Sequence, residues 1–162
     1  MDLTLHAISD RDMNNMLDIL TSKAVAQTYM LPDFEKREDA IPLFQRLMGL
    51  SQGGTKYVRG IYLEDSLIGY TNEVEIADGA IELGYVIHPG LWGKGYMTRA
   101  LRIAISELFR MGYEEVVCGA FIQNPASIRV MEKAGMQRIE KTDAIEYRGK
   151  THNCVYYVAV KP

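Results

Sequence analysis

The chain has 162 residues, 48% of them hydrophobic and 24% charged, enough for one domain with its own core and too few for two comfortable ones. A net charge of −3, with Lys and Arg scattered, excludes the basic surface of a nucleic-acid binder. The longest apolar run, Val116 to Ile122, falls far short of the ~20 residues of a spanning helix, and no basic-then-apolar leader opens the chain, so a cytoplasmic protein with no membrane segment is expected.

Leu3 to Ser9 reads as a first strand, and Asp10 begins a helix through Leu20. A second helical region runs from Lys36 to Leu50, with Ile41, Phe44, Leu47 and Met48 at helical spacing. Pro42 is tolerable there only in the first turn. Lys56 to Leu63 is strand-like, and Glu64-Asp65 turns the chain into a strand from Leu67 to Ile76. Asp78-Gly79 is a two-residue hairpin signal leading into Ala80 to His88. From Met97 to Met111, the apolar residues Met97, Ala100, Leu101, Ala104, Ile105 and Leu108 share one helical face, and Gly112 ends the helix. Val116 to Ile122 is a buried strand. Asn124 is an N-cap with Pro125 at the first helical position, and Gly135 closes that short helix. Met136 to Tyr147 and Thr151 to Val160 form a final hairpin. Cys118 and Cys154 lack C-x-x-C spacing and are expected as buried free thiols. With His6, His88 and His152 dispersed, no metal site assembles from the sequence.

The most informative stretch joins the strand ending at His88 to the helix at Met97. It reads Pro89-Gly90-Leu91-Trp92-Gly93-Lys94-Gly95-Tyr96. A strand feeding a Gly-rich turn at a helix N-terminus is a phosphate cradle, because glycine lets backbone N–H groups approach an anion and the helix dipole adds about half a positive charge. No G-x-x-x-x-G-K-[ST] string occurs. Thr98 stands where a dinucleotide fingerprint needs its third glycine, and Glu114 and Glu115 precede the next strand instead of ending it.

This loop, together with Asn124-Pro125-Ala126-Ser127 and Met131-Glu132-Lys133-Ala134-Gly135-Met136, resembles the GNAT superfamily of acetyl-CoA-dependent N-acetyltransferases. Within it the chain looks most like the branch of ribosomal-protein N-terminal (alanine and serine) acetyltransferases. That branch carries W-G-x-G-x-A as its pyrophosphate loop; here the positions are Trp92-Gly93-Lys94-Gly95-Tyr96-Met97, with Met97 replacing the small last residue. The resemblance is strong from about Ile81 to Val160 and thin before residue 55. It implies one α/β (α+β) GNAT domain over residues 1–162: a twisted mixed seven-stranded sheet flanked by four helices and splayed between strands 4 and 5.

The resemblance also implies roles. The amides from Gly93 through Lys94, Gly95, Tyr96 and Met97 to Thr98, next to Trp92, hold the pyrophosphate of acetyl-CoA. The backbone at Val86 and Ile87 pairs with the pantetheine amides like an added strand, and a bulge there frees an N–H for the thioester oxygen. Asn124 points at the pantetheine arm besides capping its helix. Ser127 sits where this branch has a serine suggested to serve the departing thiolate; an alkanol is a poor acid, so a hydrogen bond to sulfur is the more physical role, beside the plain alternative of an inert third helical residue. Other branches carry a tyrosine acid at the position of Met131. Glu82 is the best base candidate, acting on the amine through water, with Glu73 and Glu75 competing for the same task and Tyr85 read as packing.

Acceptor specificity falls to Tyr29–Arg37 and Asp143–Asn153, where Asp33, Glu35 and Glu38 suit a cationic partner or simply a solvated loop. The acceptor is a primary amine, either a protein N-terminus or a small molecule. A non-catalytic acyl-CoA sensor or partner-binding module is the alternative, kept open by Met97 and Met131. Similar proteins often associate through sheet edges or C-terminal strands, so a homodimer is compatible with the resemblance.

Overall fold

Seven strands form one sheet in the order β1-β2-β3-β4-β5-β7-β6. They are β1 (Leu3–His6), β2 (Val58–Leu63), β3 (Ser66–Ala77), β4 (Ala80–Ile87), β5 (Glu115–Phe121), β6 (Gln137–Tyr147) and β7 (Lys150–Val160). The helices are α1 (Met13–Leu20), α2 (Lys23–Ala26), α3 (Ile41–Gly53), α4 (Tyr96–Arg110) and α5 (Pro125–Lys133). The computed structural model describes every residue from Met1 to Pro162.

All neighbouring strands are antiparallel except β4 and β5. These two run parallel and pair only over Ala80–Leu83 and Glu115–Cys118. Beyond Leu83 they part, while the other edge of β5 stays paired with β7 along its whole length, from Glu115 opposite Val160 to Phe121 opposite Cys154. The sheet is therefore splayed between its fourth and fifth strands, the arrangement the GNAT resemblance implies.

Each face of the sheet carries its own core. Ala100, Leu101, Ala104, Ile105 and Leu108 of α4 are buried against Ile81, Leu83, Val116 and Cys118. On the other face, Met16, Leu17, Phe44 and Leu47 from α1 and α3 pack on Val58, Tyr62, Tyr70 and Val86. Each large apolar side chain buried this way contributes about 1.5–3 kcal/mol before the ordering entropy is counted. A third, smaller cluster joins Phe121, Cys154 and Tyr156 where β5, β6 and β7 meet.

Three local expectations differ. The first strand stops at His6, because the Ile8 N–H donates to Ser51 Oγ at 3.0 Å and the Ser9 N–H to Asp12 Oδ2 at 2.9 Å, opening a 3₁₀ turn at Asp10–Asp12. A helical turn not foreseen, α2, is capped by Ser22, whose Oγ accepts from the Val25 N–H at 3.2 Å. The bulge expected at Val86–Ile87 is absent from the β3–β4 ladder, where Tyr70 faces Val86 and Gly69 faces Ile87 in regular register. The irregularity lies at Val74, between Glu73 and Glu75. There Glu73 is held by Tyr57, whose N–H donates to its carboxylate at 2.6 Å and whose carbonyl accepts its backbone N–H at 2.7 Å.

Candidate active site

The end of β4 is braced before α4 begins. His88 Nδ1 accepts from the Gly90 N–H at 3.0 Å, and Trp92 Nε1 donates to the Ile87 carbonyl at 2.9 Å. Gly93 and Gly95 then adopt φ of 78° and 81°, the left-handed region in which a Cβ is penalised. Gly95 precedes α4 without a side-chain cap, and the first turn holds no acidic residue. The first N–H groups of a 15-residue helix are thus left for an external acceptor, at the positive end of its dipole. Met97, the departure from the branch pattern, is only 7% exposed and packs into the α4 core cluster, so its bulk lies largely beneath the helix.

A groove of about 360 Å³ starts at this loop, at Trp92, Gly93, Gly95, Tyr96, Met97 and Thr98. It follows the splay past Gly84–Ile87 and Gly119–Ala120, and its wall includes Asn124, Ser127 and Tyr29. Because the His88 N–H bonds to Ile68 on β3, antiparallel alternation turns the Tyr85 and Ile87 N–H groups the other way, where no β5 residue meets them. An extended polar chain finds a free strand edge there. The splay, and not a bulge, frees these donors.

Asn124 caps α5 through Oδ1, which accepts from the Ser127 N–H at 3.2 Å, leaving its Nδ2 amide free. Tyr85 does pack against the α4-side core, but its hydroxyl also lies 2.6 Å from Ser127 Oγ and 3.2 Å from the Ser127 carbonyl. Burial pushes the Tyr85 phenol well above its ordinary value, so it stays neutral. Met131, where other branches have a tyrosine, is fully buried.

The three carboxylates are not equivalent. Glu73 is committed to Tyr57 and lies 3.8 Å from Lys56. Glu75 is exposed. Glu82 is half-buried opposite Glu75, with Lys141 Nζ 3.9 Å away. Burial raises its pKa, Lys141 opposes that rise, and Glu75 and Asp143 reinforce it. Neither Glu82 nor Lys94 lines the groove: Lys94 is exposed on the loop, and Glu82 sits one residue pair along β4 from Gly84, on the same face.

Three further residues on the groove wall escaped the sequence reading as donor contacts. Arg129 and Lys133 of α5 bring two cations to it, and their i, i+4 spacing behind Asn124 was the available signal. Tyr29 donates its hydroxyl to Asn72 Oδ1 at 3.0 Å, and burial raises its pKa to about 12. Of the acidic loop residues, Asp33 is engaged by Arg148 at 3.0 Å. Both cysteines are free and buried, on neighbouring strands but out of register. No three His, Cys, Asp or Glu side chains come together to hold a metal, and no helix is long and apolar enough to cross a membrane.

Comparison with known proteins finds relatives of this chain and of its fold. The chain is 28% identical over 166 residues to the uncharacterized N-acetyltransferase YoaA of Bacillus subtilis, covering 99% of this chain and 94% of that protein. Among solved structures it resembles the ribosomal L7/L12 alpha-N-protein acetyltransferase RimL in complex with coenzyme A, with TM-score 0.83, 20% identity, and 98% and 93% of the two chains covered. It also resembles the spermidine N-acetyltransferase of Vibrio cholerae in complex with CoA and spermine, with TM-score 0.80, 16% identity, and 98% and 95% covered. At these identities the two structures establish the fold alone. The family described as acetyltransferase (GNAT) domain matches residues 2–137, most of the chain. The protein belongs to the GNAT family of N-acetyltransferases.

Proposed function

We propose that this enzyme transfers acetyl from acetyl-CoA directly to a primary amine, with donor and acceptor bound together and no acyl-enzyme. The observation that carries the reading is the continuity of the groove, from the uncapped start of α4, along the unpaired edge of β4, to the hydroxyl of Ser127. Its chemistry fits the donor at both ends: amides and the cations Arg129 and Lys133 for phosphates, and strand-edge N–H groups for an amide-bearing arm.

The donor supplies a thioester whose leaving thiol has a pKa near 8.5, so it departs without full protonation. Around it the protein orients and polarises. The Gly93–Thr98 amides anchor the phosphates, and Asn124 Nδ2 and the β4 edge align the arm. Ser127 offers its hydroxyl to the sulfur. Such positioning and fixed dipoles are together worth several kcal/mol of barrier. Glu82 accepts the proton of the incoming ammonium through water: its raised pKa suits a base that works nearer neutral pH than an ordinary carboxylate. Cysteine nucleophilic catalysis is disfavoured, because burial pushes both thiols up and away from thiolate.

The acceptor is a protein N-terminal amine or a small cationic amine, the two classes represented by the RimL and spermidine enzymes. Thiol release from acetyl-CoA, followed with N-terminal peptides and polyamines, tests the reading. Turnover with one class, slowed by Glu82→Gln most near neutral pH, above the pKa of Glu82 and below that of the amine, is the expected result. Transfer that survives Glu82→Gln unchanged at every pH removes Glu82 from the mechanism.

A further inference from the structure

We infer that Tyr85 is a positioning residue of the donor site: its hydroxyl lies 2.6 Å from Ser127 Oγ and, by donating to it, turns the hydrogen of Ser127 toward the sulfur in the groove. The inference rests on the donor reading of the groove and adds a residue to it. A serine hydroxyl has one hydrogen and rotates freely, so its direction is set by whichever neighbour donates to its oxygen. Tyr85 reaches Ser127 from β4 across the splay, 42 residues away in sequence, and both residues line the groove. Both partners of the phenol are on Ser127, the carbonyl at 3.2 Å and Oγ at 2.6 Å; either hydroxyl could donate at the shorter contact, and the phenol, the more acidic of the two, is the better donor. Being buried, it remains a neutral donor, and a donor aimed at Oγ strengthens the bond that Oγ–H makes onward. The Ser127 N–H is already fixed to Asn124 Oδ1, so the backbone beneath the hydroxyl is held as well. No proton leaves Tyr85: its role is to point and polarise a bond that forms as thiolate charge develops.

The test reads the sulfur itself rather than turnover. The pKa of the thiol of bound CoA is measured from its ultraviolet thiolate absorbance, with the desulfo analogue of CoA subtracting the protein's own groups. The other titratable side chain acting on Tyr85, Cys118, is pushed up by burial and stays silent. Ser127→Ala removes a hydrogen bond to a charged acceptor and raises the thiol pKa by about one unit. Tyr85→Phe raises it in the same direction, and the double variant adds little further. Thermal unfolding of each variant reports that the fold is kept, and Tyr85→Leu, which also removes the hydroxyl, takes the place of Tyr85→Phe should that variant fold poorly. If Ser127→Ala shifts the thiol and Tyr85→Phe does not, Tyr85 only packs and the inference is wrong while the donor reading stands. If neither shifts it, Ser127 does not face the sulfur and the inference falls with that placement. If CoA does not bind the wild type at all, the donor reading itself is wrong.

Discussion

The hydroxyl of Tyr147 lies 2.6 Å from the carbonyl of Ala26, joining the tip of the β6–β7 hairpin to the end of α2 across 121 residues of chain. The same oxygen accepts from the Leu31 N–H at 3.2 Å, and Arg148 donates to the Leu31 carbonyl at 3.0 Å. The segments Tyr29–Arg37 and Asp143–Asn153 are thus tied to one another at Leu31, and again by the Arg148–Asp33 pair. Tyr147→Phe leaves the Leu31 N–H without its partner and is expected to cost about 1–2 kcal/mol. Faster amide exchange at Leu31, with the exchange of β5 unchanged, is the result that checks it.

Glu73 and Glu82 are expected to separate cleanly. Glu73→Gln weakens an acceptor of the Tyr57 N–H inside the sheet and lowers the melting temperature, with transfer kinetics little altered. Glu82→Gln does the reverse: it slows transfer without unfolding the sheet. A melting curve and a kcat for each variant decide the assignment.

The raised pKa of Glu82 has a consequence for stability. A carboxyl whose folded pKa lies above its ordinary 4.5 binds more protons folded than unfolded just above that pH. The wild type therefore loses stability from this group as pH rises through that window. Glu82→Gln lacks the penalty, so it is expected to melt higher than the wild type at neutral pH and to converge with it below about pH 4. Melting temperatures across pH 4 to 8 check the sign.

Gly95, at φ 81°, has nothing within 4 Å of where a Cβ would stand, so the cost of a side chain there is conformational rather than steric. Gly95→Ala is expected to lose about 1 kcal/mol of stability and to weaken CoA binding, as the loop relaxes away from the helix start. Gly95→Asn loses less, because asparagine tolerates the left-handed region. Urea unfolding and a CoA titration on both variants give the comparison.

Burial pushes the Cys118 thiol far up, with Glu82 adding to the shift. Neither cysteine is expected to react with an alkylating reagent at neutral pH on the timescale of turnover, and the activity is expected to survive that treatment. Rapid modification accompanied by loss of transfer contradicts a direct, cysteine-independent route.

What the sequence made legible was local. The face of Ala100, Leu101, Ala104, Ile105 and Leu108, the Asn124 cap with Pro125, and the Asp78-Gly79 turn (φ 53° and 80°) each follow from residues within a few positions of one another. The four-residue α2 left no period to read. The bulge at Val74 follows from a Tyr57–Glu73 pairing between strands, and the Tyr85–Ser127 and Tyr147–Ala26 bonds join residues far apart in the chain. In the site, the cradle was visible because glycine and a helix start are local features; the groove's cations and the hydroxyl pair depend on how β4 and α5 meet across the splay.

The most direct test of the groove is a calorimetric titration of acetyl-CoA into the wild-type protein, with CoA, ATP and NAD as competitors. One acetyl-CoA per chain, displaced by CoA and not by ATP or NAD, and weakened by Arg129→Ala with Lys133→Ala, is the result this account requires. No binding, or displacement by ATP and NAD as effective as by CoA, contradicts it.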